Sequence, residues 1–177
     1  MLKKFQRHLN TNFPQLKDKK LLLAVSGGID SMVLMHLFQQ LHYDISIAHC
    51  NFQLRGNESD GDEMLVKEIC QDGYIPYFIT SFDTEKYSRD NKLSIQLAAR
   101  KLRYDWFQEL LAENQLDYLV TAHHLDDNVE TFLINFIRGT GLEGLMGIPT
   151  QNGNIIRPLL PFSRLEIENY ALGNKIQ

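Results

Sequence analysis

The sequence predicts an α/β fold: a doubly wound parallel sheet of about five strands with helices on both faces. Short apolar bursts alternate with longer stretches of helical period, the pattern of strands joined by crossover helices. The bursts are apolar almost throughout, as strands covered on both faces are. The first of them runs through two glycines into an amphipathic segment, LLLAVSGGIDSMVLMHLF over residues 21–38. That order reads as strand, phosphate loop and helix.

Leu21–Val25, Ile45–His49, Pro76–Ser81, Tyr118–Ala122 and Ile155–Leu159 read as the strands. Residues 31–41, 58–73, 94–114 and 127–137 read as the helices between them, with an opening helix over 2–13 and a closing one over 163–172. Ser163 followed three residues later by Glu166 is a capping-box signature for the last. No internal repeat, low-complexity tract or Pro/Gly/Ser-rich linker interrupts the chain, so one domain over residues 1–177 is expected. The chain stops shortly after its last helix opens, which leads us to expect a piece of a longer multidomain protein.

At 177 residues and 44% apolar composition the chain can bury a full core, and 23% charged residues argue against disorder. No apolar run reaches membrane-spanning or signal-peptide length. Cys50 and Cys70 lie apart without a pairing pattern, pointing to a reducing, cytoplasmic setting. The net charge of −4 says little about nucleic acid. Its distribution says more: residues 1–20 carry Lys3, Lys4, Arg7, Lys17, Lys19 and Lys20 against Asp18 alone. Such a run is usually solvated surface, although a basic face can also track a phosphate backbone.

The loop Ser26-Gly27-Gly28-Ile29-Asp30-Ser31 can curl so that successive amides point at one spot, with the positive end of the following helix behind them. Ser26 and Ser31 add hydroxyl donors. The loop is neither a Walker loop, which needs a lysine, nor a Rossmann fingerprint, which needs three spaced glycines. A carboxylate, Asp30, stands where the lysine would be. It cannot meet phosphate directly without repulsion, but it can hold Mg²⁺, which bridges carboxylates to phosphate oxygens.

SGGIDS resembles the SGGxDS loop of the N-type ATP pyrophosphatases, or PP-loop superfamily. In that superfamily the loop grips the β,γ-pyrophosphate as leaving group while the α-phosphate is attacked, giving an adenylate. Four further stretches narrow the resemblance: HCNFQLRGNESDGDE (49–63), SIQLAARKLRYDWF (94–107), TAHHLDDNVETFLINFIRGTGLEGLMGIP (121–149) and IIRPLLPFSRLEIENYA (155–171). Together they resemble the N-terminal catalytic domain of the tRNA(Ile)-lysidine synthetase family, from about residue 20 to the end. The combination of HHxDD, RGTGxxGLxGI and IIRPLL is specific; SGGxDS alone marks only the superfamily. The resemblance implies ATP and Mg²⁺ as cofactors, with an isoleucine tRNA bearing a CAU anticodon and free L-lysine as substrates. ATP adenylates the wobble cytidine at its C2 oxygen, and the lysine ε-amine then displaces AMP to form lysidine. One position departs from the family pattern: Gln96 stands where many relatives carry Glu.

Ser26–Ser31, His49–Arg55 and His123–Asp127 each follow an expected strand, and open α/β sheets bind ligands at the carboxyl ends of their strands. His49, Asn51 and Arg55 are therefore expected to face tRNA or lysine. Arg100 and Arg103 lie on one side of their helix, away from an expected core stripe of Ala98, Leu102, Trp106 and Leu110. A planar guanidinium suits phosphate, and the resemblance makes Arg103 a clamp on the α-phosphate or on the adenylated intermediate. HHLDD lacks the separated Cys/His spacing of a structural zinc site. Asp127 is expected either as a second Mg²⁺ contact beside Asp30 or as the group that orients the lysine amine. His123 is expected as a hydrogen-bond donor or an acid/base. Lysine must attack as the neutral amine, so Asp127 or His123 must take a proton. Arg138 closes its helix and is expected, with Gly139, Thr140 and Gly141, to face tRNA or lysine, the glycine-rich stretch forming a wall against the substrate.

A tRNA thiolase of the same fold is the nearest alternative, and a non-catalytic ATP sensor the one from another class. The thiolase commonly uses paired cysteines, and no C-x-x-C occurs here. The sequence leaves a homodimer open.

Overall fold

The computed structural model describes residues 1–54, 56–139 and 147–176. Its elements are α1 (Leu2–Asn12), β1 (Lys20–Ala24), α2 (Ile29–Gln40), β2 (Asp44–Asn51), α3 (Asn57–Asp72), β3 (Tyr77–Ser81), α4 (Thr84–Asn91), α5 (Ile95–Glu113), β4 (Tyr118–Val120), α6 (Leu125–Ile137), β5 (Gln151–Asn152), β6 (Ile155–Ile156) and α7 (Arg164–Asn174).

The strands form one sheet in the order β3-β2-β1-β4-β6-β5. All neighbours are parallel except β5, which folds back antiparallel on β6. Strand order runs outward from β1 through β2 to β3, then reverses and continues from β1 through β4. The carboxyl end of β1 is thus the switch point, where a ligand crevice is expected in such sheets.

Residue alternation along the strands sorts the core into two layers. Leu21, Leu23, Val25, Ile45, Ile47, Val120 and Ile156 face a large cluster built with α1, α2, α3 and α7. Leu22, Ala48 and Leu119 face Phe107, Leu110 and Leu111 of α5 on the other side. α2 buries Met32, Val33, Leu34, Met35, Leu37 and Phe38, because a helix apolar all round must be enclosed. α5 is capped by Ser94, whose hydroxyl accepts from Leu97 N. The expected capping box of α7 forms: Glu166 N donates to Ser163 Oγ at 3.3 Å and Ser163 N to Glu166 Oε2 at 3.0 Å.

Several expectations change in detail. The sheet has a sixth strand, β5, made of two polar residues without an apolar signal. α4 is an additional helix that buries only Thr84 and Ser88, so no apolar period announces it. Ala98 and Leu110 are buried as expected on α5, but Leu102 and Trp106 are half-buried, and Ala99, Phe107 and Leu111 complete the buried face instead. A stripe spaced strictly by four drifts around a 3.6-residue helix, so the contact face passes to neighbouring positions. β2 runs to Asn51 rather than ending at His49, because β3 pairs with it through Asn51↔Ser81. That extension bears on the site.

Candidate nucleotide and acceptor site

At the switch point, the chain leaving β1 must turn sharply into α2. Gly27 makes the turn at φ +89°, in the left-handed region that favours glycine. A Cβ there would stand 3.0 Å from the Asp62 side chain of α3. The loop closes on Ser31: its hydroxyl accepts from Ser26 N at 3.1 Å and donates to Gly28 O at 2.8 Å. Ser26 Oγ accepts from Gly28 N at 3.3 Å. Ser31 N and Met32 N both donate to Gly28 O at 3.1 Å, so the donors this end offers an anion are the amides that open α2 ahead of them, reinforced by the helix dipole.

A cavity of about 290 Å³ opens beside this loop on the α5 side of the sheet. Ser26, Gly28, Asp30 and Ser31 line it together with Arg103, Tyr104, Thr121, His123 and Asp127. A larger concavity of about 610 Å³ lies among Phe13, Lys17, Lys19, His42 and Asp44. It sits at the amino-terminal end of the sheet, next to the start of β1 and β2. Position decides between the two: the smaller one is at the carboxyl end and holds the convergent polar groups.

Asp30 opens α2, and its Oδ1 is buried without a hydrogen-bond partner. Its Oδ2 lies 3.7 Å from His124 Nε2 and 3.5 Å from Arg164 Nη1. His124 is 4% exposed. Its Nδ1 lies 3.7 Å from Asp127 Oδ2 and 3.8 Å from Asp126 Oδ2. The imidazole therefore stands between the carboxylate of α2 and those of α6. Asp127 Oδ2 also accepts from His124 N at 2.9 Å, which fixes the first turn of α6.

His123 turns toward the cavity and pairs through Nδ1 with Thr121 Oγ1 at 2.8 Å. Burial pushes its pKa below the ordinary histidine value. Arg157 lowers it further, Asp127 opposes that shift, and Arg100 and Arg103 add to it. A neutral imidazole is the form that can accept a proton. Arg103 sets its guanidinium 5.0 Å from the Phe52 ring centre, and Arg100 lies 4.9 Å from the ring of Tyr104. Both are exposed, so aromatic faces orient two charges at the rim.

The structure thus gathers Ser26, Gly28, Asp30, Ser31, Arg103, His123 and Asp127 around one cavity, with Gly27 and Ile29 in the same loop. Arg100 stands at the rim without lining the cavity. His49 and Asn51 do not join them. Because β2 continues through both, alternation turns them to the α2/α3 face, while Ala48 and Cys50 face the cavity. His49 Nδ1 donates to Val25 O at 2.9 Å. Asn51 Nδ2 donates to Asp60 Oδ1 and Glu63 Oε2, both at 3.0 Å. These two residues tie β2 to β1 and to α3. Arg138 and Gly139 lie exposed at the far end of α6. Arg55, Thr140 and Gly141 lie outside the described residues.

Sequence reasoning passed over His124, Thr121, Arg157 and Arg164. His124 carried a signal, as the second histidine of HHLDD at the N-cap of α6. Nothing local marks Arg164 beyond its place after a cap, since its contact with Asp30 is tertiary. Among the described residues no cluster of three or more His, Cys, Asp or Glu is arranged to hold a metal ion. The partnerless Oδ1 of Asp30 fits Mg²⁺, which binds through one or two carboxylates and otherwise through substrate phosphates and water. Among the described residues no helix is long and apolar enough to cross a membrane.

The PP-loop domain family matches this chain over residues 1–177. The chain is 48% identical over 160 residues to the tRNA(Ile)-lysidine synthase of Porphyromonas gingivalis strain W83, covering 90% of this chain and 35% of that protein. It is 47% identical over 172 residues to the tRNA(Ile)-lysidine synthase of Chlorobaculum tepidum, covering 95% of this chain and 52% of that protein. It therefore spans about a third to a half of these curated relatives. Among solved structures, the U34-tRNA thiolase NcsA from Methanococcus maripaludis superposes with a TM-score of 0.79 at 21% identity, over 99% of this chain and 65% of that one. The NH3-dependent NAD synthetase of Campylobacter jejuni gives a TM-score of 0.67 at 14% identity, over 100% of this chain and 75% of that one. These two likenesses show the fold.

Proposed function

The chain belongs to the PP-loop domain family, and on that premise we propose that it carries the catalytic site that ligates lysine to the wobble cytidine of an isoleucine tRNA with a CAU anticodon. One observation carries the reading: a loop suited to pyrophosphate, a guanidinium, a neutral imidazole and a carboxylate share a single cavity. A site that only sensed ATP would need the first of these and not the rest.

In the first half-reaction the cytidine O2 attacks the α-phosphorus of ATP, and the bond from that phosphorus to the α,β-bridging oxygen breaks to release pyrophosphate. The loop amides and the Ser26 hydroxyl hold the leaving group, and Arg103 faces the α-phosphate, where charge develops. Asp30 and Asp127 would hold Mg²⁺, which supplies neutralising charge for the leaving pyrophosphate. In the second half-reaction the lysine ε-amine attacks C2 and the C2–O bond breaks, releasing AMP. Asp127 attracts the lysine ammonium, and His123, kept neutral by burial and by Arg157, accepts the proton that must leave it. Thr121 holds the ring through Nδ1, leaving Nε2 for this task. The product sits in the cytoplasm with its substrates, a setting that suits two free cysteines.

A sulfur-transfer reading finds no support in those thiols. Burial pushes Cys50 up to about 12 and Cys70 up to about 11, far from the thiolate form a sulfur carrier needs.

The test measures pyrophosphate and AMP release with tRNA transcript and lysine present or omitted in turn. Pyrophosphate release should require tRNA, and AMP release should require lysine as well. ATP binding without turnover, or pyrophosphate release indifferent to tRNA, would overturn the reading.

A further inference from the structure

The two carboxylate oxygens of Asp30 have different surroundings. Oδ2 lies 3.5 Å from Arg164 Nη1 of α7 and 3.7 Å from His124 Nε2 at the start of α6. Oδ1 is buried and has no hydrogen-bond partner. An aspartate in the first turn of a helix can instead fold back onto the amides of its own turn. Here those amides are the donors on offer to a phosphate, so such a collapse would occupy them and withdraw the carboxylate together.

Arg164 is itself held in place. Its Nε donates to Glu168 Oε1 at 2.9 Å, one turn further along α7. Its backbone N donates to Asp126 Oδ2 at 2.8 Å. The residue therefore reaches both carboxylate-bearing helix starts, α6 through its main chain and α2 through its side chain. It is not among the residues that line the cavity, so it stands behind Asp30 rather than against a ligand. The side chain is half exposed, and an ion pair in that setting adds little to stability. Orienting a carboxylate that binds metal is a weightier role for the same contact.

We propose that Arg164 is a positioning residue that acts through Asp30: it draws Oδ2 away from the opening amides of α2, leaving Oδ1 to the Mg²⁺ that accompanies ATP and the amides to the phosphates. The inference rests on the assignment of Mg²⁺ to Asp30 in the functional reading. Charge alone predicts the opposite sign, because a guanidinium beside Asp30 repels a dication. Solvent weakens that repulsion at a half-exposed side chain, whereas the orientation of Asp30 is unaffected by screening. Loss of Arg164 should therefore weaken metal binding rather than strengthen it.

The informative substitution is Arg164→Gln, which removes the charge at Asp30 and leaves the main-chain bond to Asp126 available. Equilibrium dialysis with labelled ATP, without tRNA or lysine, measures ATP affinity in EDTA and at saturating Mg²⁺. The ratio of the two is the gain conferred by the metal. We expect Arg164→Gln to match wild type in EDTA and to lose about tenfold of this gain. Asp30→Ala should lose the gain altogether. In tRNA-dependent pyrophosphate release, Arg164→Gln should need about tenfold more Mg²⁺ for half-maximal rate, with kcat recovering as Mg²⁺ saturates. An unchanged or larger gain in Arg164→Gln overturns the proposal. So does an equal loss of ATP affinity with and without Mg²⁺, which would mean that the guanidinium meets phosphate directly. Should Arg164→Gln fail to fold, Glu168→Ala decides, since it releases Arg164 Nε: a smaller gain than wild type supports the assignment, and an unchanged one refutes it. If Asp30→Ala keeps the full gain, the assignment of Mg²⁺ to Asp30 falls and the proposal with it. If Asp30→Ala loses the gain while Arg164→Gln keeps it, the proposal alone falls.

Discussion

α2 and α6 begin alike and are held differently. Each follows a strand at the carboxyl end of the sheet, and each carries carboxylates in its first turn, Asp30 in one and Asp126 and Asp127 in the other. α2 is enclosed by the core along its length. α6 has no buried residue among those described, and Phe136 and Ile137 are 64% and 82% exposed. Yet the first turn of α6 is tied by bonds from elsewhere. Leu125 N donates to Phe162 O at 2.9 Å, Arg164 N to Asp126 Oδ2 at 2.8 Å and Ile148 N to Asn128 Oδ1 at 2.6 Å. The phosphate loop is thus positioned by apolar burial, and the HHLDD turn by a polar network. Both are fixed at the end that faces the cavity, by different physics.

The largest effect that could break this comparison is at its chemical end. Asp30→Ala should lower tRNA-dependent pyrophosphate release by about 10²–10³-fold while circular dichroism shows an intact fold, since alanine is at ease in a helix. Near-normal release by the folded variant would remove Asp30 from the reaction. Asp127→Asn preserves an acceptor for His124 N and should spare ATP binding. It should slow lysine-dependent AMP release by about 10–100-fold. Equal loss of ATP affinity in the two variants would show that Asp127 belongs to the nucleotide half of the site.

Stability separates the two helices themselves. Leu34→Ala removes a fully buried side chain from α2 and should cost about 2–5 kcal/mol in urea unfolding. Phe136→Ala on α6 should fall within about 0.5 kcal/mol of wild type. A large cost there would show that the exposed face of α6 is covered in solution. The smallest effect concerns Cys50. With its thiol pushed up to about 12, iodoacetamide at pH 8 should leave it unmodified over the time in which a free thiol reacts fully, read by mass spectrometry.

The main strands were legible because each buries both faces and so reads as an apolar burst. The capping box of α7 was legible because it is local. β5 and α4 were not, since Gln151 and Asn152 have no apolar pattern and α4 is polar throughout. In the site, the phosphate loop and HHLDD announced themselves by composition. The direction of His49 and Asn51 could not be read, because it depends on where β2 ends, and β3 sets that limit. Arg157 and Arg164 reach the site by tertiary approach alone. The sequence offers no period or motif length from which their partners could be deduced.

The short β5 strand has one more consequence. An open sheet edge invites strand addition by other chains, the first step of many aggregates. On this side the edge presents two residues of antiparallel strand, closed by a turn in which Gly153 takes φ +57°. A foreign strand docking there would find too few rungs to hold. The opposite edge, β3, offers five residues, so intermolecular strand pairing in a partly unfolded sample is directed to Tyr77–Ser81.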